Sequence, residues 1–305
     1  MLAPRQPAVW IERWLQRSTA AREARDVLLD DATWPPNQKG RMKDLPISSF
    51  AAGMMMHPTM ACPLDWTRTS GFQSGGEQGR YLCGFRARLA AAHNCTIFSF
   101  GSNFEWAFEA SVQRMARQAG RTCNVHIFDP TLGPPQRVQD FRRELAKSSI
   151  ELHEVALTSD GRAAVPLYNR HRGRMIWCNT TSLARLAESH GCPDVLKMDV
   201  EGFELAALEF YRRKPPRWCA GMLLLEFHPD KLRSSVHKGN VTLGLLMDVV
   251  QWLEAASMQL YHSEVISPLE RHFGRMELAF INTTWLSGLS MDAARAADRL
   301  SPWHD

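Results

Sequence analysis

From residue 95 onward, short apolar runs rich in β-branched and aromatic residues alternate with longer segments of helical spacing. "CTIFSF" (95–100) is followed by "FEWAFEASVQRMARQAG", with Phe104, Ala107, Phe108, Ser111 and Met115 on one face and Gly120 as a stop. "CNVHIFD" (123–129) leads into "PPQRVQDFRRELAKSS", a helix opened by prolines with Val138, Phe141 and Leu145 facing inward. "IELHEVAL" (150–157) reads as a third strand, and after an irregular arm "NTTSLARLAESHG" reads as a helix with a Thr cap and a Gly stop. "DVLKMDV" (194–200) with "GFELAALEFYRRK", then "GMLLLEFH" (221–228) with "VTLGLLMDVVQWLEAA", complete five strand–helix units. "MQLYHSEVIS" and "RMELAFINTTW" close the chain as two strands with no helix between them. Such a pattern predicts an α/β fold: a doubly wound, seven-stranded, mostly parallel sheet with an antiparallel C-terminal strand at one side.

Residues 1–69 are expected to form an N-terminal extension, helical and irregular, ahead of an α/β domain over 70–305. Val9, Trp10, Trp14, Val27 and Leu28 recur at loosely helical spacing, and the Met-rich "AAGMMMHPTMACP" reads as linker. The composition, 45% hydrophobic and 22% charged over 305 residues, is that of a globular chain. A net charge of +4 without basic clusters interleaved with aromatics gives no strong nucleic-acid signal. No apolar run reaches the roughly 18 residues that span a bilayer, and the first residues lack a signal-peptide pattern. Seven cysteines with no CxxC pair suggest mostly reduced thiols, and hence a cytoplasmic protein, unless a targeting segment is missing from its start.

In doubly wound sheets ligands lie across the carboxyl ends of the strands. Strand one ends in Gly101-Ser102-Asn103, with Glu105 following; strand two ends in Asp129; strand three in Ala156-Leu157. Strand four ends in Asp199 and Glu201, and strand five in Glu226 and His228. Gly101 allows a close turn under a ligand, and Asp129 is placed to accept two ribose hydroxyls. Because "FSFGSNFEW" lacks a second glycine for a pyrophosphate, a dinucleotide is disfavoured. A nucleoside without diphosphate remains, and S-adenosylmethionine is the obvious candidate. The GxxxxGK[ST] phosphate loop is absent as well.

"VLKMDVEGFELAALEF" resembles the signature of the FkbM-like methyltransferases, an acid–x–Glu–Gly–aromatic–Glu run at a strand end. "IFSFGSNFEWAFE" with "HIFDP", "WCNTTSL", "LLLEFH" and the lead-in "SGGEQGRYLC" (74–83) are similar to the branch called methyltransferase-like 24. The likeness covers roughly residues 70–285. It implies a class I, Rossmann-like methyltransferase fold using S-adenosylmethionine, often on hydroxyls of small molecules or sugars. Carried over by position, Gly101, Ser102 and Asn103 would line the methionine part of the cofactor and Asp129 the ribose, with Glu105 and Asp199 also among the cofactor-binding residues. Ala156 and Leu157 would lie near the adenine, and Asp199, Glu201 and Glu226 would face the methyl donor or acceptor.

Methyl transfer to a hydroxyl needs alignment and a base. Asp199, Glu201, Glu226 and His228 are the available groups, with Asp199 or His228 as base and Glu201 positioning or capping. Their spacing is not a strong metal signature, so no residue is assigned as a metal ligand and a divalent cation is the lesser alternative. Tyr168, Trp177 and the arm over 167–177 are candidates to cover a small-molecule or glycan acceptor. A catalytically inactive cofactor-binding domain serving as an interaction module is the alternative from another class.

Overall fold

The computed structural model describes residues 62, 64, 66–69, 79–91, 94–158, 161, 164–169, 171–204, 207–208, 219–228, 243–265 and 276–289. The expected extension lies outside these apart from its last few residues, as does most of the helix expected after Gly202. In chain order the strands are β1 (Trp66–Arg68), β2 (Tyr81–Cys83), β3 (Asn94–Phe100), β4 (Thr122–Phe128), β5 (Ile150–His153), β6 (Ala156–Leu157), β7 (Val165–Asn169), β8 (Arg174–Cys178), β9 (Thr180–Thr181), β10 (Val195–Met198), β11 (Met222–Phe227), β12 (Met258–Val265) and β13 (Met276–Asn282). The helices are α1 (Phe85–Ala91), α2 (Ala107–Gln118), α3 (Pro135–Ala146), α4 (Leu183–His190), α5 (Leu243–Ala255) and α6 (Thr283–Ser287).

Seven strands form the central sheet in the order β12-β13-β11-β10-β3-β4-β5. β13 runs antiparallel to both of its neighbours, and the other described pairings among β11, β10, β3, β4 and β5 are parallel. The C-terminal strand is antiparallel as expected, yet it does not lie at the side of the sheet. With α5 between them, β11 and β12 run in the same direction one strand apart, and β13 fills the gap between them.

Alternate residues of the same strands feed two separate cores, one on each face. Phe98, Phe100, Leu196, Met198, Leu223, Leu225 and Phe227 enter one. Ile97, Val125, Ile127, Val195, Met222 and Leu224 enter the other, against Phe108, Val112 and Ala116 of α2 and the expected Val138, Phe141 and Leu145 of α3. A strand packed on both sides must be apolar at successive positions, which is why β11 reads Met-Leu-Leu-Leu.

Three local expectations need correction. The third strand leaves the central sheet at His153; Ala156-Leu157 instead pairs with Thr180-Thr181. The cap of α4 is Ser182, whose side chain accepts from the Arg185 N–H, and not a Thr. Within the arm expected over 167–177, β7 pairs antiparallel with β8, and Tyr168, Met175 and Trp177 are exposed.

The reading of mostly reduced thiols is overturned. Cys62–Cys83, Cys95–Cys123 and Cys192–Cys219 are bridged, with Cα separations of 5.6, 4.4 and 5.3 Å, inside the range a disulfide requires. Only Cys178 is a free thiol, and it is buried. CxxC spacing was the wrong test, because each bridge joins residues that tertiary structure brings together: Cys95 and Cys123 are register partners on adjacent strands. The cytoplasmic reading rested on those thiols and loses its basis. No described helix is long and apolar enough to cross a membrane.

Candidate active site

Gly101, Asp129 and Asp199 each stand one position beyond the last paired residue of β3, β4 and β10. The sheet hydrogen bonding runs on into them: Gly101 N–H donates to Phe128 O (2.9 Å), Asp129 N–H to His153 O (3.0 Å) and Asp199 N–H to Phe100 O (3.0 Å). Gly101 has φ of +78°, and a Cβ built there would overlap the Asp199 carbonyl, lying 2.8 Å from its carbon. The two strand ends therefore touch through backbone. Lys197, 4% exposed, strengthens the junction by donating to Gly101 O at 3.1 Å.

Asp129 is 4% exposed and its carboxylate is heavily used. Oδ2 accepts from the N–H groups of Ser102 (3.0 Å) and Asn103 (2.8 Å) and from Ser102 Oγ (3.4 Å). Oδ1 accepts from Thr131 N–H and Oγ1, both at 3.0 Å. The side chain thus holds the turn after β3 in shape, and that turn needs holding: Asn103 and Phe104 both have positive φ, 47° and 67°. Asn103 is exposed, and its Oδ1 lies 2.9 Å from His171 Nε2, tying the turn to the β7–β8 hairpin. Glu105 is exposed at the end of the turn. Ala156 packs with Leu167, Cys178 and Phe203, and Leu157 packs against the core on the other side.

The carboxyl ends of β10 and β11 carry a dense charged group. Asp199, Glu204, Glu226 and His228 are all buried, at 8, 0, 3 and 1% exposure. Glu204 accepts from Gly202 N–H (3.0 Å) and Val200 N–H (3.2 Å), so it caps the turn. Its Oε1 lies 3.0 Å from His228 Nδ1. The other ring nitrogen, Nε2, lies 3.3 Å from Glu226 Oε1, 3.8 Å from Asp199 Oδ1 and 3.9 Å from Glu201 Oε2. Glu201 itself has φ of +56° and a side chain that is 46% exposed.

Arg80, 5% exposed, enters the group from the opposite side. Its guanidinium pairs with Glu226 and Glu277 and lies 3.9 Å from Asp199 Oδ2. The backbone of Arg80 is anchored by Thr69, through Thr69 N–H to Arg80 O and Arg80 N–H to Thr69 Oγ1, each 2.8 Å. Burial opposes the charge on His228, but Glu204, Glu226 and Asp199 outweigh it and raise its pKa to about 10. Burial likewise works against the Glu226 carboxylate, while His228 and Arg80 hold it well below the usual range.

Of the residues expected from sequence, the structure joins Asp199, Glu201, Glu226 and His228 in one group and sets Gly101 against it. Ser102, Asn103 and Asp129 form the neighbouring turn. The group also includes Arg80, Lys197, Glu204 and Glu277, none of which sequence reasoning assigned a role. Arg80 and Glu204 stood inside quoted motifs, "SGGEQGRYLC" and the acid–x–Glu–Gly–aromatic–Glu run. Lys197 offered a signal too, as a lysine in the middle of a doubly covered strand.

A family model described as a methyltransferase domain matches residues 46–214, a span that holds Arg80, Gly101, Asp129, Asp199 and Glu204. No curated protein sequence matches. Among solved structures, the chain is similar to the Methanococcus jannaschii fibrillarin pre-rRNA processing protein, at 14% identity over 72% of this chain and 82% of that one, TM-score 0.37. It is similar to Streptococcus pneumoniae Sp1610, a putative tRNA (m1A22) methyltransferase in complex with S-adenosyl-L-methionine, at 14% identity over 72% and 82%, TM-score 0.36. A third is the O-methyltransferase TomG from Streptomyces achromogenes in complex with SAM, at 11% identity over 64% and 76%, TM-score 0.33.

Proposed function

Because the chain belongs to the methyltransferase-domain family, we propose that it transfers a methyl group from S-adenosylmethionine to a hydroxyl of a small molecule or sugar. The observation that carries this reading is the meeting of the Gly101 turn with the buried group Asp199, Glu226 and His228 at the carboxyl ends of β3, β10 and β11. The FkbM-like likeness, on the acid–x–Glu–Gly–aromatic–Glu run, supports the choice of a hydroxyl acceptor.

The residues present fit the cofactor. Gly101, Ser102 and Asn103 would line its amino-acid part, with Glu105 at the outer end of the turn. Two of the donors to Asp129 are hydroxyls, Ser102 Oγ and Thr131 Oγ1, and a ribose diol can replace both without disturbing the three backbone N–H bonds. Ala156 and Leu157 would flank the adenine. Bound there, S-adenosylmethionine supplies an already activated methyl group. The chain's own task is then alignment and proton removal. Of the two bases expected, His228 is held protonated at neutral pH by its carboxylates, so it orients and does not accept. Glu201, the acid of the group with an exposed side chain, takes the proton and releases it to water. The exposed Tyr168 and Trp177 of the β7–β8 hairpin would cover the acceptor.

Calorimetric titration with S-adenosylmethionine tests the cofactor. Wild type should bind, and Asp129→Asn should bind at least tenfold more weakly. No heat from folded wild-type protein would sink the reading. Binding with no methyl transfer to any hydroxyl acceptor would favour the interaction-module alternative.

We also propose that the protein works in an oxidising compartment, on the support of three bridges in one chain. Alkylation of protein denatured straight from its native source should label Cys178 alone; labelling of all seven cysteines would refute this.

A further inference from the structure

His228 Nε2 has no hydrogen-bond partner of ordinary geometry among the described residues, although the side chain is 1% exposed. The nearest oxygens to it are Glu226 Oε1 at 3.3 Å and Asp199 Oδ1 at 3.8 Å. The ring cannot rotate to approach them, because Nδ1 is engaged by Glu204 and Glu204 is fixed by two backbone N–H groups. A carboxylate behind one imidazole nitrogen, with the other aimed at a cluster of oxygens, is how histidines are oriented for metals.

The spacing fits as well. Ligand bonds of about 2.1 Å meeting at about 90–125° put donor atoms roughly 3.0–3.7 Å apart. Nε2 lies 3.3 Å from Glu226 Oε1 and 3.8 Å from Asp199 Oδ1, and the three donor atoms all lie within 4.8 Å of one another. Charge gives an independent reason. Even with His228 protonated beside Arg80 and Lys197, the four buried acids Asp199, Glu204, Glu226 and Glu277 exceed the buried cations by one, and a dication in place of the Nε2 proton would cancel that excess, which is expensive to bury. Arg80 sits on the far side of Glu226 and Asp199, contacting Oε2 and approaching Oδ2, so Oε1 and Oδ1 are the oxygens turned to His228.

We propose that Asp199, Glu226 and His228 Nε2 bind one divalent transition-metal ion, of the Mn2+ or Zn2+ kind that mixed oxygen and imidazole donors favour. The metal takes the place of the Nε2 proton, and Glu204 is the positioning residue behind the ring. Its use rests on the methyl-transfer reading: an acceptor hydroxyl bound to the ion becomes more acidic. Its proton passes to Glu201; the oxygen then forms the new C–O bond as the C–S bond of the donor breaks.

The test is titration of the full chain, stripped with EDTA, with MnCl2 and ZnCl2 alone, followed by calorimetry and by Mn2+ paramagnetic resonance. One ion should bind in the micromolar range without S-adenosylmethionine, so this outcome is independent of cofactor binding. Asp199→Asn and His228→Gln should each weaken it at least thirtyfold, and Glu204→Gln about tenfold, with near-ultraviolet circular dichroism reporting that each is folded. His126→Gln, in the separate His126–Glu151–His153 cluster, should change nothing. No binding to folded wild type, or binding kept in Asp199→Asn but lost in His126→Gln, would overturn the proposal.

Discussion

Gly101→Ala should be among the most damaging single-methyl changes in this protein, and a second glycine supplies its control. The added Cβ would overlap the Asp199 carbonyl, with Asp199 C at 2.8 Å, while φ of +78° is itself costly for an L-residue. The conformational part is about 1–2 kcal/mol. Relief of the overlap means separating the ends of β3 and β10, and two hydrogen bonds stand in the way: Asp199 N–H to Phe100 O and Lys197 Nζ to Gly101 O. At about 1 kcal/mol each, their loss brings the total to about 3–4 kcal/mol. Gly120→Ala has φ of +65° but nothing within 4 Å of the new methyl, so only the conformational cost of about 1–2 kcal/mol applies. Urea unfolding of both variants with disulfides intact should therefore separate them by about 2 kcal/mol, on bonds of that strength. Equal midpoints would refute the claim that the two strand ends meet through backbone.

Arg80→Met would leave Glu226 and Glu277 buried without their guanidinium, and urea unfolding should show a loss of about 3–5 kcal/mol. His126 has its pKa lowered to about 4 by burial and then by His190 and His153, against the pull of Glu151. A histidine with a depressed folded pKa contributes full stability above about 6.5 and loses it as pH falls towards 4. The drop in unfolding free energy over that window, read from urea titrations, should be up to about 3 kcal/mol and visibly shallower in His126→Gln. Reduction of the bridges, which span 21, 28 and 27 residues, should cost about 3 kcal/mol for a loop of this length taken singly, read as a lower thermal midpoint in reductant.

The sheet was legible because doubly covered strands must be apolar and crossover helices must show one apolar face, so β3, β4, β10, β11, α2 and α3 each carry their own signature. The place of β13 was not, since a pair of terminal strands reads the same whether the last one sits outside the sheet or inside it. Within the site, Asp199, Glu226 and His228 could be found because polar residues ending apolar runs are conspicuous. Arg80 lay about 120 residues before Asp199 in a glycine-rich stretch, and only tertiary packing shows what it neutralises. The cysteines failed for the same reason: Cys95 and Cys123 become neighbours through strand pairing, which no local spacing reports.

The charged group is assembled from segments that stand far apart in the chain: Arg80, the Asp199–Glu204 turn, Glu226 with His228, and Glu277 on β13. The family match stops at residue 214, before β11. A fragment cut at that boundary would lose His228 and Glu226, and it would also turn β10 from a central strand into an open edge. Apolar on both faces and stripped of its partner, β10 would offer its bare backbone to other chains, and such a fragment should precipitate instead of reporting on the site.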